Sequence, residues 1–411
     1  MDEAARFVPR LHVIDLSQQD RKLSDQTFAA CDVAIATYGT LIRDITQLAT
    51  RTFHYVILDE AQAIKNAAAR AAMATKCLQA EYRLVMTGTP IENHLGELWS
   101  LMEFLNPALA KRLERFSRNA RPEELPLVQQ AVRPFLLRRA KRDVAKELPA
   151  RIEQTLHCDM TDLQRAHYDA LLERVRADLL GAVEEVGLPR AKLLVISGLL
   201  RLRQAACHPV LVDAKRRGAG SGKLEVLAPM LEASALERRK TLVFSQFTSF
   251  LALVKEQLDE RGIVYESLDG QTLDRAARVR RFNADDDCAV FLLSLKAGGV
   301  GLNLQSAERV ILLDPWWNPA VEAQAIDRAH RIGQKRTVHA IRLISAGTIE
   351  DRVLELQRRK RFLADAIVNG DAGPIASMTR EDLTFLLDAA PLHPDQSAAK
   401  EVTFSNAAGA G

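Results

Sequence analysis

Two apolar runs, VFLLSL at 290–295 and RVILLD at 309–314, enclose a glycine-rich loop; an Asn318-Pro319 turn and a helical stretch ending in DRAHRIGQ follow. Short runs of this kind, bounded by turn residues, read as buried strands. In a parallel α/β sheet the carboxyl ends of the strands carry the ligand site, so the glycine loop and the helix are expected to face one crevice. Gln324, Asp327, Arg328 and Arg331 fall at offsets of three and four, which on a helix is a single face. A polar face with two arginines beside a glycine loop suits phosphate.

The rest of the chain repeats the pattern. LHVIDL (11–16), VAIATY (33–38), YVILDE (55–60) and YRLVMT (82–87) read as short buried strands between helical or polar segments, which predicts a parallel α/β lobe. Residues 95–215 carry apolar spacings of three and four and read as a helical insertion and connector. The glycine-rich RRGAGSGK (216–223) marks a boundary, after which TLVFSQ, IVYESLDG, VFLLSL, RVILLD and VHAIRLIS alternate with helices as a second α/β lobe. Domains are therefore expected at 1–94, 95–215 and 216–370, followed by a partly disordered tail at 371–411.

A chain of 411 residues is too long for one ordinary core, in keeping with two lobes. Its 56 Lys and Arg against 53 Asp and Glu leave a net charge of +3, so any nucleic-acid surface must be local. Cys31, Cys77, Cys158, Cys207 and Cys288 stand far apart without zinc spacing, which fits a reducing compartment. Cys207-His208 invites a metal reading but lacks partners at ligand spacing, so packing is expected. The longest uncharged apolar run, LLVISGLL at 193–200, is too short to span a bilayer. A soluble intracellular protein, cytoplasmic or nuclear, is expected.

DRAHRIGQ (327–334) closely resembles the second-lobe signature of the Swi/Snf family of helicase-like DNA translocases in superfamily two, and ordered blocks from about residue 10 to about residue 370 extend the resemblance. The resemblance implies two RecA-like parallel α/β lobes, the first incomplete, with helical insertions and an ATP site at their interface. The implied activity is DNA-dependent ATP hydrolysis that steps the protein along duplex DNA. ATP and magnesium are the implied cofactors; duplex DNA, or a protein complex on DNA, is the implied partner.

VILDEAQ (56–62) is an apolar strand ending in Asp-Glu. At such a strand end in nucleoside triphosphatases, Asp59 holds magnesium and Glu60 orients or deprotonates the attacking water, and the resemblance assigns both to the magnesium site. A solvated acidic turn is the competing reading. Within TGTP, Thr87 and Thr89 would link the catalytic strand to nucleic acid, although threonines there can also cap a helix. ATYGTLIRD (36–44) is similar to a DNA-backbone motif in which Thr37 contacts phosphate. FLLRRAKRDVAKELP (135–149) concentrates Arg138, Arg139, Lys141 and Arg142, which the resemblance sets beside DNA and which a solvated helix face would also explain.

In SLKAGGVGLNL (294–304) the glycines suit close approach to phosphate or positive φ. By resemblance Gly298 and Gly299 touch DNA, while Gly301, Asn303 and Gln324 face the nucleotide. Trp317 is an implied DNA contact that packing would equally explain. Arg328 and Arg331 are the candidate fingers for the γ-phosphate, against a plain Asp327–Arg331 pair on an exposed helix worth a few tenths of a kcal/mol.

GSGKL (220–224) imitates a phosphate loop, but Arg217 stands where the first glycine of GxxxxGK belongs and Leu224 where Ser or Thr belongs, so it reads as the linker opening the second lobe. Residues 1–58 contain no Gly-Lys-Thr or Gly-Lys-Ser, and MDEAARFVPRLHVIDL resembles the segment after the family's first two motifs. The chain is expected to begin after the phosphate loop, with the second lobe folding alone from about Gly222. A catalytically silent module that holds DNA or a protein is the alternative.

Overall fold

In a computed structural model of the chain, residues 2–17, 23–88, 95–112, 130–137, 139, 141–295, 301–366 and 380–388 are described. The described residues up to 137, with 364–366, make one compact unit; 139–363 and 380–388 make the second.

In the first unit, β1 (Val13–Asp15) pairs with β2 (Val33–Ile35) and β3 (Thr52–Leu58) with β4 (Gln79–Val85), each pair parallel and each a separate two-stranded sheet. The helix Tyr38–Leu48 buries Leu41 and Leu48 against Leu16, Ala74 and Leu78. Leu58, Ala61 and Ile64 meet Leu101 and Phe104 of the helix Leu95–Leu105. Part of the β3–β4 ribbon stays open: Tyr55 and Tyr82 stack with ring centroids 4.9 Å apart, and Ile57 and Leu84 are exposed beside them.

The second unit holds a six-stranded parallel sheet in the order β5-β10-β9-β6-β8-β7: β5 (Arg151–Cys158), β6 (Thr241–Ser245), β7 (Tyr265–Leu268), β8 (Val290–Ser294), β9 (Arg309–Leu312) and β10 (Val338–Ser345). Every residue of β6 and β8 is buried, because alternate side chains enter different cores. Val243, Leu292 and Ile311 pack with Leu227, Leu231, Phe250 and Val254 from the helices Gly222–Leu236 and Thr248–Glu260. Leu242, Phe244, Phe291 and Leu293 pack with Phe282 and Ile326 from the helices Arg275–Ala284 and Pro319–Ile326. A third core, around Tyr168, Leu199, Val353 and Leu386, gathers the helices Asp162–Val186, Leu188–Cys207, Ile349–Ala366 and Arg380–Leu387. Among the described residues no helix is long and apolar enough to cross a membrane.

Three expectations change. The strands of the first unit, expected to be buried, leave Ile35, Tyr55, Ile57, Tyr82 and Leu84 exposed, because each has a single partner strand among the described residues. The stretch expected to be helical contains β5, which runs along β10 from the Arg151–Val338 pair to the Cys158–Ser345 pair. It is an edge strand, so RIEQTLHC needs only a partial apolar pattern. GSGKL, in turn, is a helix start rather than a linker: Ser221 caps the helix by accepting from the Leu224 amide and donates to the Cys207 carbonyl at 2.6 Å. Gly222 is required there, since a Cβ would lie 1.8 Å from the Asp159 carbonyl oxygen. Lys223 is fully buried, its Nζ 2.6 Å from Glu350 Oε2 and 2.5 Å from the Leu313 carbonyl. A lobe beginning at Gly222 would lack β5 and also Gln164, whose Oε1 accepts from the Gly222 amide at 3.0 Å. The compact unit that contains this lobe begins before that strand, at Arg139.

Candidate nucleotide and nucleic-acid site

At the end of β3, Asp59 is exposed and Glu60 takes a left-handed backbone, φ 48° and ψ 52°. A bulky residue adopts that conformation only when its surroundings impose it, at a cost on the order of 1–3 kcal/mol. Four contacts impose it here. The Met86 amide donates to the Leu58 carbonyl at 2.8 Å and the Ala61 amide to the Met86 carbonyl at 3.1 Å, pinning the turn to the end of β4. The Glu60 amide donates to Asp59 Oδ1 at 2.9 Å, and Gln62 Nε2 to Glu60 Oε2 at 2.7 Å. Thr87 Oγ1 then donates to Gln62 Oε1 at 3.3 Å, so the threonine expected to link the catalytic strand onward reaches Glu60 through Gln62. Gln62 was not singled out as a site residue, although the final letter of DEAQ is its signal.

The donor set fits magnesium. That ion takes hard oxygens, usually one or two carboxylates, and completes its shell with water and substrate phosphate rather than with an all-protein cage. Asp59 offers such a carboxylate, and among the described residues no group of three or more acidic, His or Cys side chains forms a cage.

Thr37 caps the helix Tyr38–Leu48: its Oγ1 accepts from the Thr40 amide at 3.1 Å and donates to Thr40 Oγ1 at 3.0 Å. The next residue, Tyr38, donates its hydroxyl to the Asp59 carbonyl at 2.9 Å. Burial, with Asp59 and Glu60 nearby, pushes this phenol up to about 12, so it remains a donor.

In the second unit, Gly301 has φ +44°, which a glycine meets without strain, and Asn303 is exposed with its carbonyl accepting from Asn283 Nδ2 at 3.0 Å. Asn318 caps the following helix through the Ala320 amide at 2.9 Å. That helix carries Gln324 but ends at Ile326, so Arg328 and Arg331 stand in a turn and not on one helical face with it. Distant residues hold this turn: Lys141 Nζ donates to the His330 carbonyl at 2.9 Å, and the His330 ring meets the Pro149 carbonyl at 2.8 Å.

The competing Asp327–Arg331 pair does not form. Asp327 instead lies 2.8 Å from Lys141 Nζ, as an ion pair without hydrogen-bond alignment, and 3.6 Å from Arg151. Arg331 is half-buried and, among the described residues, matched by no carboxylate. Gln334 closes the turn, its Nε2 reaching the carbonyls of Gln305, Ala307 and Ala329 at 2.9, 2.8 and 3.2 Å. Gly333, at φ +101°, would crowd Gln305 with any Cβ, so the last two letters of DRAHRIGQ serve to tie the glycine loop to the arginine turn.

Trp317 is half-buried with the Arg203 guanidinium 5.4 Å from its ring centre. Of the basic segment, Lys141 faces its own chain and Arg139 is exposed. Thr89, Arg138, Gly298 and Gly299 lie outside the described residues.

Residues 1–211 match the SNF2-related domain, and residues 222–333 match the helicase conserved C-terminal domain. The chain belongs to the SNF2-related family. It is 34% identical over 363 residues to an uncharacterized ATP-dependent helicase of Mycoplasma pneumoniae, a match covering 87% of this chain and 35% of that protein. It is 35% identical over 393 residues to the ISWI chromatin-remodeling complex ATPase CHR11 of Arabidopsis thaliana, covering 90% of this chain and 36% of that protein. The Sulfolobus solfataricus SWI2/SNF2 ATPase core, solved in complex with double-stranded DNA, is 32% identical, with a TM-score of 0.49 over 95% of this chain and 83% of that one. The chain thus spans about a third of the length of the curated relatives it matches. For an SNF2-related chain the motif order is as expected, and each unit keeps its own motifs together: Thr37, Asp59, Glu60 and Thr87 in the first, the Gly301–Asn303 loop and the Arg328–Arg331 turn in the second.

Proposed function

We propose that this chain is the ATP-hydrolysing part of a DNA-stimulated SNF2-related motor that uses magnesium and moves on duplex DNA. Bound magnesium and ATP would supply the phosphoryl group and the counter-charge for it. Asp59 is the residue to hold the metal through its exposed carboxylate. Glu60, oriented by the bond from Gln62 to Oε2, is the carboxylate to accept the proton of the attacking water. Arg331, with no carboxylate to neutralise it among the described residues, is the group to meet phosphate charge, and Arg328 stands in the same turn. Gly301, Asn303 and Gln324 are assigned to the nucleotide, and Thr37, Thr87, Arg139 and Trp317 to the DNA side.

The observation that carries this reading is the left-handed Glu60 at a strand end, held by Gln62 of its own motif, which in turn accepts from Thr87 of the next. Strain kept in place at an acidic turn serves a geometry, and a solvated turn would need none. Glu60→Gln in the full-length protein is expected to lower ATP turnover by about a hundredfold or more while leaving nucleotide binding in place. Near-normal turnover would remove Glu60 from the chemistry. The competing reading, a silent binding module, would show as DNA binding without turnover in the unaltered protein.

A further inference from the structure

We propose that Tyr38 is a positioning residue that couples the loop bearing Thr37 to the orientation of the Asp59–Glu60 turn. This rests on the ATP-hydrolysing reading and assigns a role to a side chain that takes no part in the chemistry itself. The hydroxyl of Tyr38 donates to the main-chain carbonyl of Asp59 at 2.9 Å. That carbonyl belongs to the peptide plane between Asp59 and Glu60. Because a peptide is rigid, rotation of this plane is the motion that would take Glu60 out of its left-handed conformation, φ 48°. A donor that fixes the oxygen fixes the plane, and with it the direction in which both carboxylates leave the backbone.

The other end of the lever is equally constrained. Tyr38 is the first residue of the helix capped by Thr37, and its ring packs beside Leu58, Ala61 and Ile64, so the hydroxyl position follows the helix start. A phosphate drawn to Thr37 or to the first helical amides would act on the segment that carries the hydroxyl. The bond contributes little to folding, because the Asp59 carbonyl is open to water, which can replace the phenol. Its specific consequence is therefore geometric, and it falls on Glu60.

The test compares Tyr38→Phe, which keeps the ring and removes only the hydroxyl, with Tyr38→Ala, which removes the packing as well, in the full-length protein. Three quantities are read: melting temperature, kcat and KM for ATP with and without duplex DNA, and the magnesium concentration that half-saturates binding of a fluorescent ADP analogue. Tyr38→Phe is expected to melt like the unaltered protein and to keep KM for ATP. It should lower DNA-stimulated kcat about three- to tenfold and raise the magnesium midpoint by a similar factor, the scale of one hydrogen bond. Tyr38→Ala should add a fall in melting temperature that Phe rescues. Unchanged kcat and magnesium midpoint in Tyr38→Phe would overturn the positioning role, as would losses that follow the fraction folded. Turnover absent from the unaltered protein would sink the hydrolysis reading alone, and the magnesium midpoint would then decide the role of Tyr38. Absence of magnesium-dependent nucleotide binding in the unaltered protein would sink both.

Discussion

Strands β3 and β8 look alike in the sequence, YVILDE against VFLLSL, yet all five residues of β8 are buried while Tyr55 and Ile57 of β3 are each 53% exposed. The difference lies in their neighbours. β8 sits between β6 and β7 with helices over the sheet, whereas β3 has one partner strand among the described residues. An apolar run thus identifies a strand, but what packs on it decides how much of the strand is buried. The contrast extends to the two groups of candidate site residues. The arginine turn is tied to a well-covered sheet by the buried Gln334 amide, while the carboxylate turn ends a ribbon and is held by a short chain of hydrogen bonds.

The largest effect should come from opening the closed unit at its most buried charge. Lys223→Met leaves Glu350 without its cation in a site from which water is excluded, and is expected to cost about 3–5 kcal/mol of stability in urea unfolding. Replacing both partners, Lys223→Met with Glu350→Leu, should recover most of that loss. A single variant that costs under about 1 kcal/mol would show that water reaches the pair, and the closed unit would no longer differ in kind from the open one.

A smaller effect is expected at the edge of the same sheet. Burial alone would raise the Glu153 carboxyl, but Arg151 and Arg342 outweigh it and hold the group below its ordinary value of 4.5. A carboxyl depressed in the folded state contributes stability that is complete above its unfolded pKa and is lost as pH falls from there through the folded value. The urea midpoint of Glu153→Gln should therefore lie below that of the unaltered protein near neutrality, and the gap should close in acid below the ordinary value. A gap that persists in acid would mean that Glu153 acts through packing and not through charge.

Much of this was legible in the sequence. The presence and parallel sense of β6 to β10 followed from apolar runs alternating with helices, and DEAQ marked the strand end that carries Asp59 and Glu60. What could not be read depends on distant contacts. β5 was missed because an edge strand needs only a partial apolar pattern. Lys223 looked like part of a linker because its partner Glu350 is 127 residues away. The turn after Ile326 is held by Lys141 and Pro149, 189 and 181 residues from His330, while local spacing placed Arg328 and Arg331 on a helix that does not extend that far. The tie from Thr87 through Gln62 to Glu60 spans two motifs that local patterns treat separately.

The smallest effect, and the sharpest probe of the open ribbon, should come from Ile57→Ser. Complete burial of an isoleucine side chain is worth about 1.5–3 kcal/mol, and Ile57 retains 53% of its exposure, so only part of that is at stake. Serine also lowers strand propensity slightly, on a scale that spans about 1 kcal/mol in all. The expected cost in urea unfolding of the full-length protein is below about 1 kcal/mol, far less than a truncation inside β8, where removing the side chain of Phe291 would cost about 3–5 kcal/mol. If Ile57→Ser instead costs several kcal/mol, some other surface covers Ile57, Leu84 and the stacked tyrosines in solution. The two regions would then differ in what completes each of them, and no longer in how far they are closed.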